Sequence, residues 1–124
     1  DSRSEAMTAS YEKNLTNLIK DLRKDLNVPN LPIVVAAAGQ GGQDMRGNLK
    51  TVHDAQMAVG DPKKHPEFAG SVTSIDTSKA WRPASISPGG RDQFNGNAES
   101  YLEIGDSMAG AMLKLLEAQS KKPE

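Results

Sequence analysis

The residues best placed for chemistry fall in three short stretches. The first is Ser87–Tyr101, SPGGRDQFNGNAESY, where a Pro-Gly-Gly loop enters the turn Asp92-Gln93-Phe94-Asn95 and then the last amphipathic segment. A polar loop that opens directly into a helix is a favoured place to present catalytic groups. The second is Gly39-Gln40-Gly41-Gly42, which follows an apolar run, and the third is Val72–Asp76, which ends in a carboxylate. Ligands of open α/β sheets gather at the carboxyl ends of strands. Gln40, Asp76 and Asp92 can therefore line one rim. Gln40, Asp76 and Asn95 are the candidate substrate-binding side chains. Asp76 is also placed to cap its own turn through Thr77 or Ser78.

The glycine-rich turn resembles a phosphate cradle only loosely. It lacks the lysine and hydroxyl of a P-loop and does not spell GxGxxG, so a plain strand-to-helix turn is the simpler reading. The chain has two histidines, His53 and His65. His53 falls in a helical segment beside apolar positions, as a half-buried or surface residue would. His65 precedes Pro66 in a polar loop. They are far apart in sequence, and no His/Asp/Glu cluster has metal-ligand spacing, so no metal site is expected.

These stretches must be positioned by a small set of elements. Residues 2–26 read as a helix, opened by the capping-box pair Ser2 and Glu5. Met7, Tyr11, Leu15, Leu18, Leu22 and Leu26 recur every three or four residues, as one buried face. Asn27, Pro29 and Pro32 end it. Leu31–Ala38, LPIVVAAA, suits a strand buried on both faces of a parallel sheet. Gly47–Val59 reads as a second helix, with Leu49, Val52, Gln56 and Val59 on one face, stopped by Gly60-Asp61-Pro62. Lys63–Gly70 is a polar loop, Val72–Asp76 a weaker second strand, and a long irregular connection follows. The last helix runs from about Asn97 to Gln119, with Tyr101, Ile104, Met108, Met112, Leu115 and Leu116 as its buried stripe. Residues 120–124 form a polar tail. The order is helix, strand, helix, strand, helix. Residues 31–76 form a β-α-β unit, expected to be parallel.

The totals set bounds. The chain has 124 residues, enough for one domain and not two. A net charge of −1 and a pI near 6.2 supply no electrostatic reason to expect nucleic acid or an anionic membrane as partner. Cysteine is absent, which excludes disulfides and thiolate metal sites. No apolar run approaches the ~18 residues of a membrane helix. Asp1 is not a natural start, so a removed leader is compatible with the sequence.

A two-stranded parallel sheet is unfinished, because each strand keeps an edge of unpaired N–H and C=O groups. The chain is therefore expected to be either the carboxyl-terminal portion of a larger domain or a subunit that completes its sheet with another chain, as in a homo-oligomer. The stretches YEKNLTNLIKDLRKDLNVPNLPIVVAAAGQGG, VHDAQMAVGDPKKHPEFAGSVTSIDT and NGNAESYLEIGDSM resemble, in order, the C-terminal part of SGNH hydrolases of the sialate O-acetylesterase-like branch, near carbohydrate esterase family 6. The resemblance implies a partial three-layer α/β/α, flavodoxin-like fold. It implies hydrolysis of O-acetyl or similar esters of carbohydrates without a cofactor, by a serine nucleophile, a histidine base and amide oxyanion donors.

In that family the serine block precedes the segment represented here, and the last block reads roughly Asp-x-x-His. Asp92 takes the place of the orienting carboxylate and Gln93 the approximate histidine slot. An amide has no proton-accepting nitrogen near neutral pH, so Gln93 cannot act as a general base. Gly105-Asp106-Ser107 spells the superfamily's nucleophile tripeptide. Helical spacing instead sets Ser107 on a polar face with Ser100, Glu103, Lys114 and Glu117, turned away from the Met and Leu stripe. The alternative to an esterase-derived domain is a non-catalytic binding or assembly module that pairs through its sheet edges.

Overall fold

The computed structural model describes residues 4–89 and 93–121. Helices α1 (Glu5–Ala9) and α2 (Tyr11–Asp25) replace the single helix expected over 2–26. The break has a local cause. Thr8 Oγ1 donates to Ser4 O at 2.6 Å and Ser10 Oγ to Ala6 O at 3.2 Å. Hydroxyls that bond back one turn compete with the backbone ladder and bend a helix. Asn27, at φ 53, ends the segment in the left-handed region as expected.

Strand β1 (Ile33–Ala37) pairs in parallel with β2 (Val72–Asp76), in a register running from Ile33 opposite Val72 to Ala37 opposite Asp76. Helix α3 (Gly47–Val59) connects them, with the bounds the sequence predicts, and α4 (Ala98–Ser120) closes the chain. The architecture is mixed α/β with a short parallel sheet of two strands.

Alternation along the strands sorts the two faces. Ile33, Val35 and Val72 point to the α2–α3 side, where Ile19, Val59 and Phe68 complete the core. Val59 is fully buried. Thr73 and Ile75 point to α4 and meet Ser107, Ala111 and Leu115. β1 is not buried on both faces, contrary to expectation: only Ala37 of it is buried, as is only Val72 of β2. One helix layer per side cannot cover strands that each lack a second strand neighbour among the described residues.

The expected helix stripes are also corrected. On α2 the buried residues are Thr16, Ile19 and Arg23, while Leu18, Leu22 and Leu26 are exposed. On α4 the buried residues are Ser100 and Leu115, while Tyr101, Met108 and Leu116 are exposed. Each helix has rolled so that one flank of its apolar stripe faces away from the two strands available. Among the described residues no helix is long and apolar enough to cross a membrane.

Candidate functional site

At the carboxyl ends of the strands, β1, β2, α2 and α3 are tied together by part-buried polar contacts. The Ala38 peptide lies just past the last paired residue of β1. Its N–H donates to Gln56 Oε1 at 2.7 Å and its carbonyl accepts from His53 Nδ1 at 2.6 Å. His53 and Gln56 stand one turn apart on α3, so one helix face satisfies both backbone groups of a residue beyond the paired strand. Gln56 Nε2 continues to the Tyr11 hydroxyl at 2.9 Å, and Ser74 Oγ donates to Gln56 O at 2.6 Å.

The other ring nitrogen of His53, Nε2, faces Asp76 Oδ1 at 3.8 Å. Asp76 ends β2 and caps the following turn: Oδ1 accepts from Ser78 N at 2.9 Å and Ser78 Oγ at 2.6 Å. Burial pushes the Asp76 carboxyl up. The two Ser78 hydrogen bonds, with His53 and Lys79 nearby, outweigh burial and hold it below the usual carboxylate range.

The loop after β1 is drawn against the loop after β2. Thr77 Oγ1 donates to Ala37 O at 2.5 Å, and a Cβ on Gly39 would lie 2.3 Å from Thr77 Oγ1. Gly39 is thus required by close approach rather than by phosphate binding. Gly42, at φ 59, packs against Trp81, and Gln43 Nε2 donates to Ser78 Oγ at 2.9 Å. Gln40, in the same turn, is half-buried, and its Oε1 is buried without a hydrogen-bond partner.

Asp92 lies outside the described residues. Gln93 is exposed; its backbone carbonyl accepts from the Tyr101 hydroxyl at 2.6 Å. Phe94 and Asn95 both adopt φ 53, an uncommon conformation for residues other than glycine. Phe94 is held there by packing between Trp81 and Tyr101, at centroid distances of 5.9 and 6.0 Å. Asn95 Nδ2 donates to Arg82 O at 2.8 Å, so this amide fastens the loop. Asn97 caps α4, its Oδ1 accepting from Ser100 N at 3.2 Å and its Nδ2 donating to Ser87 Oγ at 3.1 Å.

Gly105-Asp106-Ser107 lies within α4, so YLEI before it is helical. The polar face expected there is partly reversed. Ser100 is fully buried, and Ser107, though exposed, lines a cleft of about 510 Å³ against Thr73, Ser74 and Ile75. A smaller cleft of about 90 Å³ joins Ser107 to Asp76, Lys79 and Glu103. The structure thus brings Ser107 and Asp76 to one cleft. No hydroxyl is hydrogen bonded to either imidazole among the described residues. The nitrogens of His53 face Ala38 and Asp76, and those of His65 face Glu12 at 2.8 Å and Glu67 at 3.3 Å.

His65 ties α2 to the turn Pro66–Phe68. The Glu12 hydrogen bond raises its pKa, burial opposes this, and Glu67 adds to the rise, with a net upward shift. Among the described residues no group of three His, Cys, Asp or Glu side chains could hold a metal ion. Sequence reasoning missed the burial of His53 and its clamp on Ala38. The available signal was the His53/Gln56 pair on the face of α3 that meets the glycine turn.

A model of the carbohydrate esterase, sialic acid-specific acetylesterase family matches residues 1–114. A probable carbohydrate esterase of Arabidopsis thaliana is 32% identical over 104 residues, covering 84% of this chain and 33% of that protein. The chain therefore spans about a third of the length of that relative. No solved structure matches it. Family match and α/β architecture agree, and the chain belongs to the carbohydrate esterase family of sialic acid-specific acetylesterases.

Proposed function

We propose that this chain is the carboxyl-terminal part of an SGNH-type carbohydrate acetylesterase. It forms one side of the site and contributes the rim of Gln40, Asp76, Asp92 and Asn95, while the nucleophile comes from a serine block outside it. The complete enzyme would cleave O-acyl esters of carbohydrates without a cofactor. A serine oxygen attacks the acyl carbonyl, an imidazole takes the serine proton and returns it to the departing sugar oxygen, and water then releases the acid.

The observation that carries this reading is the family match along nearly the whole chain, on a fold whose rim holds an unpartnered buried acceptor at Gln40. In the Asp-x-x-His spacing, the position three residues after Asp92 is Asn95, and the slot before the aromatic is Gln93. Both are amides, and neither accepts a proton near neutral pH. Ser107 lies in a helix with no imidazole hydrogen bonded to it. The chain by itself is therefore expected to lack turnover of a short-chain aryl ester, and Ser107→Ala and His53→Ala to leave that result unchanged. Turnover lost only in Ser107→Ala would overturn the assignment.

A second reading is favoured by the exposed leucines of α2 and α4 beside a two-stranded sheet. On it the chain is an assembly module that pairs through its strand edges as a homo-oligomer. Light scattering on the eluted chain separates the two: a dilute monomer counts against self-assembly.

A further inference from the structure

The amino ends of the strands carry a feature that an esterase rim at the carboxyl ends does not use. Arg23, on the last turns of α2, is 8% exposed. Its Nη2 donates to Leu31 O at 2.8 Å, Ser71 Oγ at 2.9 Å and, at 3.4 Å, Ser71 O. These are neutral acceptors at the entries to β1 and β2. Nε is buried with no partner at all. No carboxylate lies within ion-pairing distance of the guanidinium among the described residues.

Buried cations are ordinarily paired, because removing a charge from water is costly unless a counter-charge compensates. Burial here depresses the Arg23 pKa without any acidic group opposing it. Beside Arg23 is a cleft of about 450 Å³ lined by Lys20, Arg23, Lys24, Asn27, Glu67 and Phe68 among others. Lys20, Arg23 and Lys24 follow the three- and four-residue spacing of one helix face.

The lining carries three cations and one carboxylate. Glu67 is shared: it stands 3.9 Å from Lys20 and 3.3 Å from His65. The carboxyl end of α2 adds only about half a negative charge, so the cleft remains positive. Phe68 floors it, with the Arg23 guanidinium carbon 5.3 Å and Lys20 Nζ 6.0 Å from the ring centroid. The cations are therefore held over a fixed aromatic surface rather than spread into solvent.

We propose that this cleft binds a small oxyanion, a carboxylate or phosphate group, anchored by Arg23 and flanked by Lys20 and Lys24. The site lies at the end of the sheet opposite the candidate ester-binding rim, and it stands or falls independently of the esterase reading. Arg23 supplies a fixed, uncompensated positive charge at the wall of the cleft, and the lysines supply mobile donors.

The test uses amide and Arg Nε–H resonances of the 124-residue chain. It is titrated separately with N-acetylneuraminate, with its methyl ester, with inorganic phosphate, and with sodium chloride at matched ionic strength. The proposal expects saturable shifts confined to Arg23, Asn27 and Phe68 with N-acetylneuraminate or phosphate, and none with the ester. Whichever probe saturates at lower concentration identifies carboxylate or phosphate as the source. The double variant Lys20→Ala/Lys24→Ala changes two exposed side chains and is expected to keep the fold while weakening binding about tenfold. Shifts that chloride reproduces, shifts unaffected by the double variant, or no saturable shift with either anion would each overturn the proposal.

Discussion

The two faces of the sheet are built to different standards. On the α2–α3 face, Ile19, Val59, Phe68 and Val72 form a closed cluster. On the α4 face, Ile75 and the buried Leu115 are joined by small and polar residues, Thr73, Ser107, Gly110 and Ala111, and the contact leaves a cleft of about 510 Å³. Leu102 and Leu113, 74% and 59% exposed, point away from the sheet altogether. The first face is a core in its own right. The second is open, with its helix set off from the strands by that cleft.

Substitutions should separate by face. Phe68→Ala removes a buried aromatic from the closed cluster and is expected to cost about 3–5 kcal/mol, measured by urea unfolding. Given the limited core of a chain this size, that loss would leave little folded protein. A cost under about 1 kcal/mol would mean the cluster does not hold the molecule together.

The attachment of α4 sharpens the contrast at its hinge. Asn97 both caps α4 and holds the 81–97 loop through Ser87. Asn97→Ala is expected to cost about 1 kcal/mol and to speed amide exchange in the first turn of α4 more than in α3. Equal acceleration in both helices would show that α4 is as integral to the fold as α3.

The α2–α3 face should also answer to pH through His65. Its folded pKa is raised by Glu12 and Glu67 above the free value of about 6.5. The stabilisation is therefore complete below that value and is lost as pH rises through the folded pKa. Melting temperature followed from pH 5 to 9 should fall across this window, and Glu12→Gln should flatten the fall. An unchanged slope in Glu12→Gln would remove His65 as its cause.

The smallest effect is expected on the outer side of α4. Leu102→Ser and Leu113→Ser should change the stability of the isolated chain by no more than about 0.5 kcal/mol. If self-association uses this surface rather than the strand edges, the same changes would reduce it, as seen by light scattering.

Much of this layout was legible in the sequence. β1, α3, β2 and α4 fall within a residue or two of the expected ranges, because apolar runs and Gly/Pro breakers mark where elements begin and end. What periodicity does not specify is which flank of a helix meets the sheet. The leucines of α2 mark an apolar stripe, but with two strands present α2 turns Ile19 and Arg23 inward and leaves Leu18 and Leu22 outside. Ser100 was placed on a polar face because serine is polar, yet it is fully buried at the close contact of the α4 cap. The break at Ser10 depends on hydroxyls choosing carbonyls one turn back, a local competition that apolar spacing cannot report. At the site, the sequence named Asp76 and its capping of Ser78, and the structure has that contact. It did not reveal the clamp of His53 on Ala38, which exists only once α3 folds back on β1. The role of Asp92 stays with the family motif, since that residue lies outside the described ones.

The most direct test is acetate release from an O-acetylated sialic acid by the 124-residue chain, followed by proton NMR in wild type and Ser107→Ala. The account predicts no release above the buffer rate from either protein. Release by wild type that disappears in Ser107→Ala would contradict it, because the reactive hydroxyl would then lie on α4 and not in a separate serine block.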